Sequence, residues 1–451
     1  MVDTFYALAT PPGSSALAVV RVCGPLVPQL IVDVFGAKAE STGARRAILG
    51  TYRSIAGDPI DQVIYTRFPA DSSYTGRDLL EISGHGNMFL VEQILADLDQ
   101  RGCRMAEPGE FTRTAFLEGK MDLSQAEAVA DLIAARSHAA AESAQRQLSG
   151  GLGAEIDLRV QELLAIRAHL EAFIDFPEED LPEEDQEGPI ASLKNTLENL
   201  DGMLATGRQR ELLHRGIRTV ILGSVNAGKS SLLNRLLGED RAIISEQAGT
   251  TRDYIQEVLN VGPYCIQIFD TAGFRDAVEP VEREGLRKTE SLSGSADVAL
   301  IVVDGTAPSP TLPRALIDRL NPQNCLIVFN KSDQNGFHDD PEFLADLPRC
   351  SLSAKTGSGV KEFRQQWESL IHDELLEGAE SRVLYNRRHL NHLQRCRDSV
   401  ERTEQSLKEG ISPEYVIPDL REALDQLGSI VGTIDNEDML DVLFGEFCIG
   451  K

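Results

Sequence analysis

Gly223-Ser224-Val225-Asn226-Ala227-Gly228-Lys229-Ser230 reads as GxxxxGK[ST], a loop whose backbone can cradle phosphates. Before it, residues 218–222 (Arg-Thr-Val-Ile-Leu) form a short apolar run of strand character, and after it residues 230–237 have helical spacing. The loop therefore falls between a strand and a helix. There, N–H groups at the helix start point at a bound anion, which engages Asn226, Ala227, Gly228, Ser230 and Ser231. Lys229 supplies a charge for the β and γ oxygens, and Ser230 can hold Mg²⁺. A chance glycine loop is the bland alternative for this motif read alone.

The downstream sequence weakens that alternative. Asp270-Thr271-Ala272-Gly273 closes the apolar stretch 266–269, where a carboxylate can reach Mg²⁺ and a glycine N–H the γ-phosphate. Asn330-Lys331-Ser332-Asp333 ends a second apolar run, 326–329, and Ser353-Ala354-Lys355 fits a last base-contacting loop. Guanine presents N1–H and an amine side by side, a donor pair that adenine lacks, so the Asp333 carboxylate argues for GTP over ATP. Alone, NKxD is more often an ordinary polar turn; four elements in this order read as a guanine-nucleotide site.

Between the loop and Asp270 lies Gly249-Thr250-Thr251-Arg252-Asp253, placed to carry a threonine to Mg²⁺. Spacing favours Thr251 and leaves Thr250 as the alternative. After Gly273, where many GTPases carry a water-orienting Gln, stands Phe274, so the polar group must come from elsewhere. Glu282 is near enough along the chain, although its residues alone read better as a solvated charge.

Composition bounds the rest. The chain has 451 residues, 42% of them hydrophobic and 25% charged, enough for about three soluble domains. Lys and Arg number 44 against 71 Asp and Glu, a net charge of −27, which excludes gripping nucleic acid by bulk charge. An RNA target would need a local patch or a basic partner. Seven cysteines (23, 103, 265, 325, 350, 396, 448) show no CxxC pair and suggest a reducing cytosol. The first residues lack a basic leader and no apolar run approaches membrane-spanning length, so the expectation is a cytoplasmic protein with no membrane partner.

Four segments are expected. Residues 1–118 mix strand-like runs (16–22, 63–68, 79–83) with a helical stretch at 89–98, the pattern of an α/β domain. Ser124-Gln125-Ala126-Glu127 reads as a capping box opening a long amphipathic helix, and further stripes at Leu163, Ile166, Leu170, Phe173, Ile174 and at Ile190, Leu193, Leu197, Leu200, Leu204 fill a helical part over 119–215. The nucleotide unit spans 216–376. Helices resume over 377–451, with a stripe from Leu420 to Ile434, so helices on both sides of the nucleotide unit can share one core. The acidic run 177–185 reads as a solvated loop.

Together these residues resemble the MnmE family of tRNA modification GTPases. The resemblance rests on Ala9-Thr10-Pro11-Pro12-Gly13, Gly84-His85-Gly86, Pro108-Gly109-Glu110-Phe111, the stretch 115–133, the GTPase set with Gly249-Thr250-Thr251-Arg252-Asp253, and Phe447-Cys448-Ile449-Gly450-Lys451. It covers essentially the whole length. It implies a multidomain α/β plus all-α architecture: an N-terminal α/β folate-binding and dimerisation domain, a helical bundle, and a doubly wound, Ras-like GTPase domain inserted in it. It also implies 5-formyltetrahydrofolate or a related folate held by Arg21, Glu81, Lys120 and Lys451. The loop Ser245-Glu246-Gln247-Ala248-Gly249-Thr250-Thr251 would join the nucleotide set, with K⁺ bound by Asn226 and carbonyls near Ser245, Gln247 and Thr250. A cation there would do the work of an arginine finger, which accounts for Phe274, and Glu282 resembles the family's water-orienting residue.

The implied activity is K⁺-dependent GTP hydrolysis by a homodimer. With the flavoprotein MnmG, in a heterotetramer or larger complex, it adds carboxymethylaminomethyl at C5 of wobble uridine (position 34) of tRNA. Val225 stands where the family has proline, Arg77 where an acid is common, and Asn87 where glycine is common. Cys448 is a candidate nucleophile, with a positioning role weighed equally. The rivals are a GTP-gated ribosome assembly factor and a folate-dependent aminomethyltransferase with a regulatory GTPase.

Overall fold

The computed structural model describes residues 3–37, 43–175, 187–240, 256–270, 296–379, 382–432, 437–445 and 447–450. Two compact units emerge, one of residues 1–130, 152–161 and 424–451, the other of 131–151 and 162–423.

In the first unit the elements run β1 (Phe5–Leu8), β2 (Ser15–Cys23), α1 (Val27–Phe35), β3 (Ile48–Arg53), β4 (Pro59–Phe68), β5 (Leu79–Gly86), α2 (Met88–Gln100), β6 (Arg104–Met105) and α3 (Glu110–Leu117). The strands form one sheet in the order β3-β4-β5-β2-β1-β6, antiparallel except for the pairing of β1 with β6. Period-two alternation divides its faces. Val20, Val22, Tyr52, Val63, Tyr65, Leu80 and Ile82 pack with Leu30, Ile31 and Val34 of α1 and Ile94 and Leu98 of α2. The opposite face carries Leu17, Val19 and Arg21 of β2, Glu81 and Ser83 of β5, Ile64 of β4 and Leu49 of β3.

Asn87 has a local reason. Its Oδ1 accepts from Phe89 N at 2.9 Å and caps α2, which a glycine could not do. Later in the chain, the helix Glu437–Gly445 packs on α3, joining Phe116, Leu440, Phe444 and Phe447 in one cluster.

The expected capping box sits two residues earlier than the sequence reading placed it. Asp122 Oδ1 accepts from Gln125 N at 2.8 Å while Gln125 Oε1 accepts from Asp122 N at 2.9 Å, so the helix opens at Leu123 and Ser124 lies inside it. The expected long helix is broken into α4 (Leu123–Ala134) and α5 (His138–Leu148), and the second stripe, Leu163 to Ile174, lies on α6 (Gly151–Asp175). Ser137 starts α5 by accepting from Ala140 N, and Gly150, at φ +88°, ends that run.

The second unit continues with α7 (Glu187–Ala205), α8 (Gly207–Arg215), β7 (Ile217–Leu222), α9 (Lys229–Asp240), β8 (Gln256–Val261), β9 (Tyr264–Asp270), β10 (Val298–Asp304), β11 (Cys325–Asn330) and β12 (Arg349–Ser351). Their order is β12-β11-β10-β7-β9-β8, parallel except that β8 runs antiparallel to β9. β10 and β11 are apolar nearly throughout because both faces are covered. One side packs Ile221, Leu300, Val302 and Val328 with Leu232, Leu236, Phe363 and Trp367; the other packs Val220, Ile301, Val303 and Ile327 with Leu316. The helix Arg387–Lys408 packs along α7, so helices from before and after the sheet do share a core. Among the described residues no helix is long and apolar enough to cross a membrane.

Candidate functional site

In the parallel sheet, β7 has β9 and β8 on one side and β10, β11 and β12 on the other. Its carboxyl end is therefore the topological switch point, where such sheets bind ligands. The loop 223–230 leaves β7 at that end. Gly223 (φ +145°) and Gly228 (φ +92°) have no room for a side chain: a Cβ would stand 2.1 Å from Val302 O in the first case and 2.1 Å from Asn330 Nδ2 in the second. Asn226 takes a left-handed conformation (φ +67°) and is exposed. Lys229 Nζ lies over the loop, donating to the carbonyls of Gly223 and Ser224 at 2.8 Å each. Ser230 and Ser231 open α9, and Asp270 ends β9 in register with Ile221, next to the loop.

Asn330 ties this loop to the base side. Only 3% exposed, it donates from Nδ2 to Ala227 O at 2.8 Å and accepts at Oδ1 from Ala354 N at 2.9 Å. Asp333 accepts from Ser353 Oγ at 2.6 Å, so the two base-reading loops are joined by a side-chain bond. Lys331 (φ +71°) reaches Asp304 Oδ2 at 2.5 Å. Burial works to raise the Asp304 pKa, yet the Lys331 ammonium and the Thr306 hydroxyl overcome it and hold the carboxyl below its usual range. Arg235 of α9 donates to Ala354 O at 3.2 Å and Lys355 O at 2.6 Å, fixing the last loop from beneath. Such an arrangement can hold a phosphate chain at one end and a planar base with adjacent donors at the other.

A second cluster lies on the open face of the antiparallel sheet. Register sets Arg21 opposite Glu81, and Arg21 Nε donates to Glu81 Oε1 at 2.8 Å. Arg21 also reaches Gly450 O at 3.4 Å. Gly450 (φ +96°) passes so close to β1 that a Cβ would meet Leu8 O at 2.8 Å, and Gly109 N donates to Cys448 O at 3.4 Å. Lys120 Nζ donates to Asp71 O at 2.9 Å, and among the described residues no contact brings it to Arg21 or Glu81. Arg77 pairs with Glu118 at 2.8 Å.

Of the seven thiols, all free, Cys448 is exposed and the other six are buried. Burial pushes Cys23 and Cys103 up to about 11 and Cys325, Cys350 and Cys396 up to about 12.

Comparison with known proteins settles the kinship. Residues 4–120 match the family described as GTP-binding protein TrmE N-terminus, and residues 123–448 match the MnmE helical domain. A tRNA modification GTPase MnmE from Opitutus terrae is 41% identical over 459 residues, covering 100% of this chain and 99% of the relative. The chain belongs to the MnmE family. Namesakes from Akkermansia muciniphila (42% over 458 residues, 99% of each chain) and Moorella thermoacetica (37% over 462 residues, 100% of this chain and 99% of the relative) extend the MnmE match. As a member of the MnmE family, the chain is a GTP hydrolase.

Several expected site residues of this MnmE chain lie outside the described residues: Ser245, Glu246, Gln247, Ala248, Gly249, Thr250, Thr251, Thr271, Ala272, Gly273, Glu282 and Lys451, with Phe274 among them. Sequence reading missed Arg235 and Asp304. Arg235 had a signal, a cation on the exposed side of α9, but nothing in the sequence says which carbonyls lie below it. It also missed Tyr74, beside Arg21, whose hydroxyl meets Thr112 Oγ1 at 3.0 Å and whose pKa is raised by burial. Gly109, quoted only as part of a motif, turns out to need its positive φ (+67°) and its bare Cα: a Cβ would stand 2.7 Å from Phe444 O.

Proposed function

We propose that this chain is a K⁺-dependent GTP hydrolase acting in tRNA modification. With MnmG it would add carboxymethylaminomethyl to C5 of wobble uridine, drawing a one-carbon unit from a formyl- or methylene-tetrahydrofolate. The observation that carries this reading is kinship along the whole chain with proteins named tRNA modification GTPase MnmE. The four segments 1–118, 119–215, 216–376 and 377–451 are its working divisions.

In the hydrolytic step water bonds to the γ-phosphorus, the bond to the β–γ bridging oxygen breaks, and GDP and phosphate leave with release of a proton. The loop amides and Lys229 hold the phosphates, and Asp333 selects guanine. Ser230, Asp270 and Thr251, or Thr250, are the residues that would hold Mg²⁺. The glycines that let backbone approach, Gly223 and Gly228, fit that role. Asn226, exposed at the loop crest, fits a cation ligand, completed by carbonyls near Ser245, Gln247 and Thr250. K⁺ there would supply charge at the β and γ oxygens, and Glu282 would orient the water.

For the folate, Glu81 offers acceptors to a donor-rich pterin edge and Arg21 a fork for carboxylates, with Lys120 and Lys451 completing the set. The same sheet face carries Leu49, Ile64 and Leu17, which are 66%, 46% and 61% exposed, and Leu49 lies in register with Ile64. An apolar row on an open sheet face supports a homodimer formed there. Cys448, exposed near Gly109, remains a candidate nucleophile.

Nucleoside mass spectrometry of tRNA from cells lacking the protein tests the reading. Loss of C5-modified wobble uridine, restored by wild type and not by Asp270→Ala, is the expected result. Unchanged uridine would overturn it and favour ribosome assembly. Turnover should be faster in KCl than in NaCl at equal ionic strength, and equal rates would remove K⁺ from the scheme.

A further inference from the structure

Charge is spread unevenly along this acidic chain. Against 71 Asp and Glu and 44 Lys and Arg overall, residues 382–397 contain five arginines, two histidines and no acidic residue. The run leads into and opens the helix Arg387–Lys408. That helix buries Leu393, Cys396 and Val400, and Arg382, Arg387 and Arg395 are exposed. The two halves of the helix treat their cations differently. Further along, Arg397 meets Asp201 and Glu401, Arg402 meets Asp419 and Glu422, and Lys408 meets Glu404. Arg382, Arg387 and Arg395 meet no carboxylate among the described residues. Arg208 extends the group from α8: it is exposed and likewise unpaired among the described residues, and its neighbour Gly207 packs against the Leu390 side chain.

Helix formation does not explain these residues. The first turn, which the macrodipole favours for acids, has none and holds Arg387 and Arg388 instead; Asn386 and His389 do the capping. Arg388 contacts His389 Nε2 at 2.9 Å, but Arg387 meets no carboxylate among the described residues, and a local preference broken in this way is expected where function sets the residue.

We propose that Arg208, Arg382, Arg387 and Arg395 form a surface that binds the phosphate backbone of tRNA, an inference that rests on the tRNA reading above. A chain of net charge −27 needs a local patch or a basic partner to hold RNA, and these four arginines are such a patch. Arginine is suited to it, since its fork matches phosphate oxygens in pairs and stays charged. Arg387 and Arg395 are separated by about 12 Å along the helix axis, enough to span several phosphates at roughly 3.4 Å per strand position. The surface offers backbone contacts, so it positions RNA and leaves sequence choice to other groups.

The test uses the full chain and an unmodified tRNA transcript, with binding followed as a function of salt. Replacing all four arginines by alanine should lower the slope of log K against log salt by about 3, at roughly 0.7–0.9 for each phosphate no longer neutralised. Replacement by lysine should preserve the slope, and GTP hydrolysis should run at the wild-type rate in both variants. Unchanged affinity and slope in the alanine variant would overturn the surface while leaving tRNA as substrate intact, because wild type still binds. Loss of MnmG association at unchanged tRNA affinity would overturn it in favour of a protein-binding face. If wild type neither binds tRNA nor restores wobble modification, the tRNA reading itself falls.

Discussion

The loops at the carboxyl ends of the parallel strands and the open face of the antiparallel sheet build sites in opposite ways. In the first, each functional group lies at or just beyond the end of a strand: 223–230 after β7, Asp270 closing β9, Asn330 closing β11. The strands converge, so short motifs far apart in sequence arrive together, and one buried side chain, Asn330, holds them. In the second, Arg21 and Glu81 stand mid-strand and meet through register, while the Gly450 carbonyl comes from the far end of the chain. Strand ends yield motifs; a sheet face yields isolated residues.

The sharpest way to break this contrast is Asn330→Ala. It leaves Ala227 O and Ala354 N without partners in a buried setting, at about 1–3 kcal/mol each, so GTP affinity should fall by two orders of magnitude or more in direct titration. If affinity holds, the loops are positioned independently and the bridge is incidental. Asp333→Asn should weaken GTP by about 100-fold, from two charge-assisted bonds of roughly 1.5–3 kcal/mol weakened together. The same variant should gain affinity for xanthosine triphosphate, whose C2 carbonyl accepts from the new amide. No exchange of preference would move base reading elsewhere.

On the sheet face, Arg21→Ala should lower folate affinity about tenfold, near 1.4 kcal/mol, and leave GTP turnover unchanged. A parallel loss of turnover would mean that the two sites do not behave separately. A smaller effect, about fivefold in GTP affinity, is expected for Arg235→Ala, which removes two bonds to the carbonyls of Ala354 and Lys355 at about 1 kcal/mol net.

Least of all is the acid dependence of the Lys331–Asp304 pair. Asp304 is held below the usual carboxylate range, so its contribution to stability is present above that range and lost as pH falls through its lowered value. Denaturant titrations across acid pH should show that slope flattened in Asp304→Asn; an identical slope would remove the pair from the account.

The nucleotide loops were readable in advance because phosphate and guanine chemistry demand particular residue types at fixed positions beside strand ends. Their supports were not. Arg235 and Asp304 are ordinary charged residues until tertiary packing puts carbonyls and an ammonium beside them. The capping box illustrates the limit at short range: Ser124 to Glu127 satisfies the pattern, but Asp122 and Gln125 satisfy it two residues earlier, and the geometry of the helix start chose the latter. The single long helix expected after residue 124 fails for a related reason, since apolar spacing persists through breaks that Ser137 and Gly150 impose locally. Arg21 and Glu81 came only through resemblance to a family, whereas Tyr74 and the need for Gly109 came only from the fold.

By itself, the sequence determined the order of the phosphate, metal and base loops, the strand-like runs of an N-terminal α/β part, and the kinship with the MnmE family. Each is a local pattern, fixed by the chemistry of a few neighbouring side chains. Only the tertiary structure decided that Asn330 joins two loops, that Arg382, Arg387 and Arg395 lack acids to pair with among the described residues, and that Gly450 lies against Arg21. Those depend on which distant atoms come within hydrogen-bonding reach, and distance in space is what a linear chain does not state.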